Sequence, residues 1–322
     1  MSLLALITGL GADGPRTADA LTGTPVMENF DDIRGRATKI RITLADETYS
    51  LSNTNGGWVM DGTSGYPVRP GRLAELSAGL EELVWDAPRT HDPLKLDHIG
   101  LGNPNEGGTG ALIELFDENS ERLSALITGR KGKFTYARDP DSNKAYRIKG
   151  NLPPLHNHDA WLDLDILDIK PDAVQALRIF DISGKELYLQ RRVGSGERSF
   201  RPAPPYQNYR LVSRIAASTP ALALSRFQPI GVKPSKDLKT KALTRHITQT
   251  HDGLEVNLLT YREPDGFYVT FRAIEAGEGA HRGSSINAKA EGWAFQISEY
   301  DWNDFTPRVS SIVRPPAPKT TP

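Results

Sequence analysis

The chain has 322 residues, of which 38% are apolar and 25% charged, with a formal net charge of −1. That length allows two domains with real cores, and the near-neutral balance gives no global pull toward nucleic acid or acidic lipid. Cysteine is absent, which excludes disulfides, thiolate metal sites and cysteine nucleophiles and leaves the redox compartment open.

Residues 3–10 are a short apolar run with no cation before it. A membrane span needs about 20 apolar residues, and a signal peptide needs a positive leader. The run satisfies neither as it stands. Followed by a polar tether rich in Gly, Thr and Pro at 11–25, it reads as the tail end of an N-terminal membrane anchor. Gly9, Gly11 and Gly14 also meet the G-x-G-x-x-G spacing. A dinucleotide site needs a strand, a tight turn and a long helix whose N-terminus faces the pyrophosphate. Pro15 and the break at Thr22-Gly23-Thr24-Pro25 leave no room for that helix, so no cofactor is expected.

A first module is expected over 38–158. Ile40, Ile42 and Leu44 alternate with polar residues as in a half-buried strand, and Asn55-Gly56-Gly57 turns a second strand into a third. Pro70 then opens a helix whose Leu73, Leu76, Leu80 and Leu83 form one apolar stripe. Two hairpins follow, with turns at 117–120 and 139–143.

Residues 159–173 form a junction: Trp161, Leu162, Leu164, Ile166 and Leu167 alternate with Asp163, Asp165 and Asp168. The alternation predicts apolar side chains buried between the modules or capping the first, with acids facing solvent. The acids lack the central glycine and terminal bidentate acid of a calcium loop. His156 and His158 stand at i and i+2 beside Asp159 in a proline-rich loop, a spacing that implies no third ligand, so no metal is expected.

A second module of similar plan is expected over 174–313, with a disordered tail at 314–322. Arg41-Ile42 answers Arg178-Ile179, Tyr49-Ser50-Leu51 answers Leu187-Tyr188-Leu189, and Trp58 answers Phe200. A helix is predicted over 207–217 with Tyr209, Val212, Ile215 and Ala216 on one face, and the apolar piece 221–227 answers Val84-Trp85. Three strands near 245–250, 254–262 and 266–272 answer the hairpins, and 293–297 is a further strand. The fold class is therefore α+β: two similar modules, each a mainly antiparallel sheet with one amphipathic helix packed on it.

Charge is uneven, with 14 Lys and Arg against four acids between 174 and 250. Arg191, Arg192 and Arg198 are the candidate surface for an anionic partner. There is no G-x-S-x-G elbow, and nothing nominates a catalytic carboxylate pair. No catalytic residue is expected.

Several local patterns occur in order: Ile40-Arg41-Ile42 with Gly57-Trp58; Tyr66-Pro67-Val68; Leu126-Ile127-Thr128-Gly129 with Tyr136-Ala137-Arg138; Trp161-Leu162-Asp163; and Gly292-Trp293-Ala294-Phe295. In these the chain resembles the bacterial proteins grouped as domain of unknown function 4340. The resemblance implies a repeated α+β module held outside the cytoplasm by one N-terminal helix. It also implies an accessory role in the cell envelope beside gliding-motility-type ABC transporter components. The expected function is thus a non-enzymatic, membrane-anchored, periplasmic or extracytoplasmic interaction protein partnered by ABC-type transporter components. The alternative is a module binding an anionic glycan or lipid through its basic second half, and an uncharacterised enzyme stands third.

Overall fold

The computed structural model describes residues 21–191, 199–274 and 280–316. The run 3–10, the glycine motif 9–14, the turn 194–196 and residues 317–322 of the tail lie outside the described residues. The protein is α+β and contains two eight-stranded antiparallel sheets.

The first half runs α1 (Phe30–Arg36), β1 (Lys39–Thr43), β2 (Thr48–Thr54), β3 (Gly57–Met60), α2 (Pro70–Glu82) and β4 (Val84–Thr90). It continues through α3 (Pro93–Leu96), two short 3₁₀ turns, β5 (Ala111–Phe116), β6 (Arg122–Lys131), β7 (Phe134–Arg138) and β8 (Ala145–Lys149). The second half runs β9 (Val174–Phe180), β10 (Glu186–Arg191), β11 (Phe200–Pro202), β12 (Arg210–Leu211), α4 (Arg214–Ala221) and β13 (Gly231–Pro234). Then come β14 (Thr244–Thr250), β15 (Glu255–Glu263), β16 (Gly266–Ile274), α5 (Ala280–Ala290) and β17 (Trp293–Ile297). The chain closes with α6 (Glu299–Phe305), α7 (Val309–Ile312) and β18 (Val313–Arg314), which pairs with β12.

The two sheets have the same plan. Their orders are β3-β2-β1-β5-β6-β7-β8-β4 and β11-β10-β9-β14-β15-β16-β17-β13. Register agrees as well as order. Arg41 lies opposite Ser50 and Glu114, and Arg178 lies opposite Tyr188 and Ile247. Extending this across each sheet makes Leu112 equivalent to Arg245, Ile113 to His246, Ala125 to Asn257 and Ile127 to Leu259.

By contact the chain divides into two compact units, and Val59–Arg69 groups with the residues from His158 onward rather than with its sequence neighbours. In the first unit α1 and α2 lie on the inner face of the sheet, around an apolar cavity of about 330 Å³ lined by Phe30, Ile40, Trp58, Leu73, Leu80 and Leu115. The leucine stripe of α2 does the packing, with Leu76 and Leu80 buried and Leu83 following it. The β4 edge is covered by residues 23–26, whose Gly23 and Val26 amides donate to Trp85 and Leu83 carbonyls at 2.7 and 2.8 Å.

In the second unit, Val59–Arg69 is a strap closed on itself by Met60 N–H to the Tyr66 carbonyl at 3.1 Å. Its far end pairs with the junction. Val68 bridges Leu162, the Arg69 amide donates to the Trp161 carbonyl at 2.7 Å, and the Asp163 amide donates to the Pro67 carbonyl at 3.0 Å. Tyr66 is 1% exposed and lies edge-on to Trp293 (5.0 Å) and Phe295 (6.1 Å), with its hydroxyl donating to the Asp163 carbonyl at 2.9 Å. Three of the stretches that carry the family resemblance therefore meet in one packed cluster.

Some expectations are corrected. The helix read over 207–217 is α4 at Arg214–Ala221, because the Ser213 side chain caps the Ala216 amide at 3.0 Å and starts the helix there. Its buried residues are Ala217, Pro220 and Ala221, whereas Ile215 is 73% exposed. The strand equivalent to β4 is β13, not the piece 221–227, which ends α4 and forms a 3₁₀ turn.

The inner face of the second sheet is packed by aromatic rings, with Phe227 against Phe271 and Phe305. Among them His246 is fully buried at the place Ile113 holds in the first unit, edge-on to Phe305 at 5.3 Å. Neither ring nitrogen has a hydrogen-bond partner among the described residues, and the nearby Pro220 carbonyl only partly offsets the burial. Burial pushes the imidazole down to about 3. The folded protein therefore holds His246 neutral. Its full contribution is present above the unfolded value near 6.5 and is lost as pH falls toward about 3, at about 1.4 kcal/mol per pH unit. His246→Leu is expected to flatten the acid loss of stability between pH 6 and pH 4, read by urea unfolding at stepped pH. An unchanged slope would show that the imidazole is not held neutral.

Candidate functional site

Strand alternation gives each sheet a second, outer face, and the two units treat it differently. In the first unit the outer face is covered. Leu96 and Leu101, from α3 and the loop after it, are buried against Leu112, Ile127 and Tyr136, with Ile99 and Ala125 packed alongside. Gly129 and Gly100 let two backbones touch, since a Cβ on Gly129 would lie 1.8 Å from the Gly100 carbonyl oxygen. Arg138 fastens the same loop. It is 4% exposed, its Nε donates to the Leu101 carbonyl at 2.9 Å, and its Nη1 donates to the carbonyls of Asp139, Pro140 and Ser142 at 3.0–3.2 Å. Asp97 accepts from the Thr109 amide and hydroxyl at 2.8 and 2.7 Å, hydrogen bonds that hold its carboxyl below the usual carboxylate range.

In the second unit the segment after β13 carries only a short 3₁₀ turn, Ser235–Asp237, and the corresponding face keeps open clefts. The positions of Leu112 and Ala125 are taken by Arg245 and Asn257. A cleft of about 390 Å³ is lined there by Arg245, Asn257, Leu259, Thr270, Arg272 and Ile274. A second cleft of about 480 Å³ shares Thr270, Phe271 and Arg272 and runs on past Tyr261 and Asn287 to Glu291 and Trp293. The two make one open trough.

Hydrogen bonds order its floor. The Arg245 guanidinium donates twice to Asn257 Oδ1, at 3.1 and 2.6 Å, and Asn257 Nδ2 donates to Glu255 at 2.8 Å. The other Glu255 oxygen accepts from Gln249 at 2.9 Å, so two amides occupy that carboxylate. Arg272 stands directly across from Asn257. Among the described residues neither Arg245 nor Arg272 has a carboxylate partner, whereas Arg178 farther along the face is paired with Glu186 at 3.2 Å. At the far side of the trough the Asn287 side chain accepts from the Ala273 amide and donates to its carbonyl at 2.8 and 2.9 Å. It thereby replaces a neighbouring strand and ties α5 to the edge of β16.

The residues singled out in the sequence lie elsewhere. Arg191 donates to the Pro171 and Asp172 carbonyls at 2.8 and 3.3 Å, with its guanidinium 4.7 Å from the Phe200 ring centroid. Arg192 and Arg198 lie outside the described residues. Trp161 and Leu162 are 0% and 1% exposed within the second unit, while Leu164 and Leu167 are half-buried and Ile166 and Ile169 take the buried places. Of the junction acids, Asp163 pairs with Lys289 at 3.0 Å and Asp165 with Arg69 at 3.3 Å, and Asp168 is exposed. His156 and His158 are both exposed.

Among the described residues no group of three His, Asp or Glu is placed to hold a metal ion, and no helix is long and apolar enough to cross a membrane. No curated protein and no solved structure matches the chain. The sequence model of one family, described as a domain of unknown function (DUF4340), matches residues 58–245. That match starts at Trp58, beside the strap, takes in the strap, the covered face and the junction, and ends at Arg245. Because it spans more than half of the chain, this protein belongs to the DUF4340 family.

Proposed function

We propose that this chain is a non-enzymatic accessory protein of the cell envelope that works by binding, and that the trough on the second sheet is its working surface. One observation carries the reading. The same face of the same duplicated fold is sealed by leucines in one copy and left open, with arginine, asparagine and tyrosine, in the other. Arginine, tyrosine and tryptophan are the residues that dominate recognition surfaces. Among the described residues the trough lining includes no His or Lys and one carboxylate, Glu291, a poor set for acid–base chemistry. The resemblance to the DUF4340 proteins supplies the setting: a membrane-proximal position outside the cytoplasm, with ABC-type transporter components as the protein partners.

The test is affinity capture from native membranes with the tagged chain and with the double variant Arg245→Glu/Arg272→Glu. Both arginines are exposed, so the variant should fold. The wild-type chain is expected to retain transporter components and the variant to lose them. Equal capture by both would move the working surface elsewhere, and repeated absence of any transporter component from both would remove the transporter partnership.

A further inference from the structure

We propose that the trough binds an acidic saccharide, with Arg245 and Arg272 taking successive carboxylates of one chain. The inference rests on the reading of the trough as the working surface and adds a small ligand of that same surface to the protein partner. Arg245 and Arg272 lie on β14 and β16, with β15 between them. Two strand spacings and an offset of two residues along the strands separate their backbones by roughly 12 Å, a span that two long arginine side chains narrow to the scale of acid groups along a short glycan. Both guanidiniums lack a carboxylate partner among the described residues, and the one acid beneath them, Glu255, is occupied by two amides. The trough is therefore set up for negative charge that the described residues do not supply.

The rest of the lining fits sugar. Thr270 offers a hydroxyl beside the cations, and Tyr261 provides a half-buried ring along the same line. An aromatic ring accepts the apolar face of a pyranose while polar neighbours take its hydroxyls. A membrane surface would call for clustered basic residues on a convex face. Here two arginines stand apart in a recess, with Asn257 and Leu259 on its floor.

The experiment measures binding of oligogalacturonate by calorimetry, with maltotriose and phosphatidylglycerol vesicles as the other arms. Oligogalacturonate is expected to bind, to weaken as salt is raised, and to lose at least about tenfold in affinity in Arg245→Glu/Arg272→Glu, which corresponds to one bidentate contact. Tyr261→Ala should weaken it several-fold while leaving the salt dependence unchanged. Maltotriose should not bind measurably. Equal binding of maltotriose, or vesicle binding that is sensitive to the two arginines, would overturn the assignment to an acidic glycan. So would failure of oligogalacturonate to bind. If that failure comes with loss of transporter capture in the double variant, the trough remains the working surface and only its ligand is wrong.

Discussion

Tyr66→Ala is expected to destabilise the second unit by about 3–5 kcal/mol, the usual cost of deleting a fully buried aromatic side chain. The ring is 1% exposed and lies edge-on against Trp293 and Phe295. Burial, with the nearby Asp163 carboxylate, raises the phenol well above its ordinary value, so it stays a hydrogen-bond donor throughout. Tyr66→Phe keeps the ring and removes only the bond to the Asp163 carbonyl, so it should cost about 1–2 kcal/mol. Urea unfolding of the three proteins separates ring packing from hydroxyl bonding. A loss below about 1 kcal/mol in Tyr66→Ala would mean that the strap is an appendage and not part of the core.

Gly129→Ala is the second large effect. The added methyl would meet the backbone oxygen and carbon of Gly100 at 1.8 and 2.5 Å, and neither atom belongs to a flexible side chain. Forcing two backbones apart here should cost about 3 kcal/mol or more. The damage is expected to be local first, freeing the cover over Leu112 and Ile127 while the inner face of the first sheet persists. Hydrogen exchange would then show residues 93–110 losing protection ahead of β5 and β6. Protection equal to that of the wild type would contradict the role given to that contact.

Strand period and turn chemistry made the duplication legible. Arg41-Ile42 and Arg178-Ile179 stand at the same sheet positions, and α2 carries the leucines its spacing predicted. Other elements were hidden for physical reasons. Apart from Ala280, helix α5 runs His-Arg-Gly-Ser-Ser-Ile-Asn-Ala-Lys-Ala and buries only Gly283, Ile286 and Ala290 within that stretch, too few large apolar residues for a periodic signal. Tyr209, Val212 and Ile215 have helical spacing by coincidence, and the Ser213 cap overrides it. The strap could not be read at all, because joining Tyr66 to Trp293 depends on a contact more than 200 residues apart in the chain.

The trough shows a different limit. Alternation marks Arg245, Asn257 and Arg272 as outward, but it marks Leu112 and Ile127 as sharing their face equally well. What separates the two faces is the segment 93–110, an insertion whose cover is set by Gly100, Gly129 and Arg138. Arg191 illustrates the reverse error. A basic run drew attention to it, yet its guanidinium is spent on the carbonyls of Pro171 and Asp172.

The asymmetry between the two outer faces can be measured directly by arginine-selective labelling with phenylglyoxal, read by mass spectrometry on the isolated protein and again after addition of native membrane extract. Arg245 and Arg272 are expected to react quickly in the isolated protein while Arg138 stays protected, and the extract is expected to slow the first two. Protection of Arg245 and Arg272 in the isolated protein, or rates unchanged by the extract, would contradict an open recognition face on the second sheet.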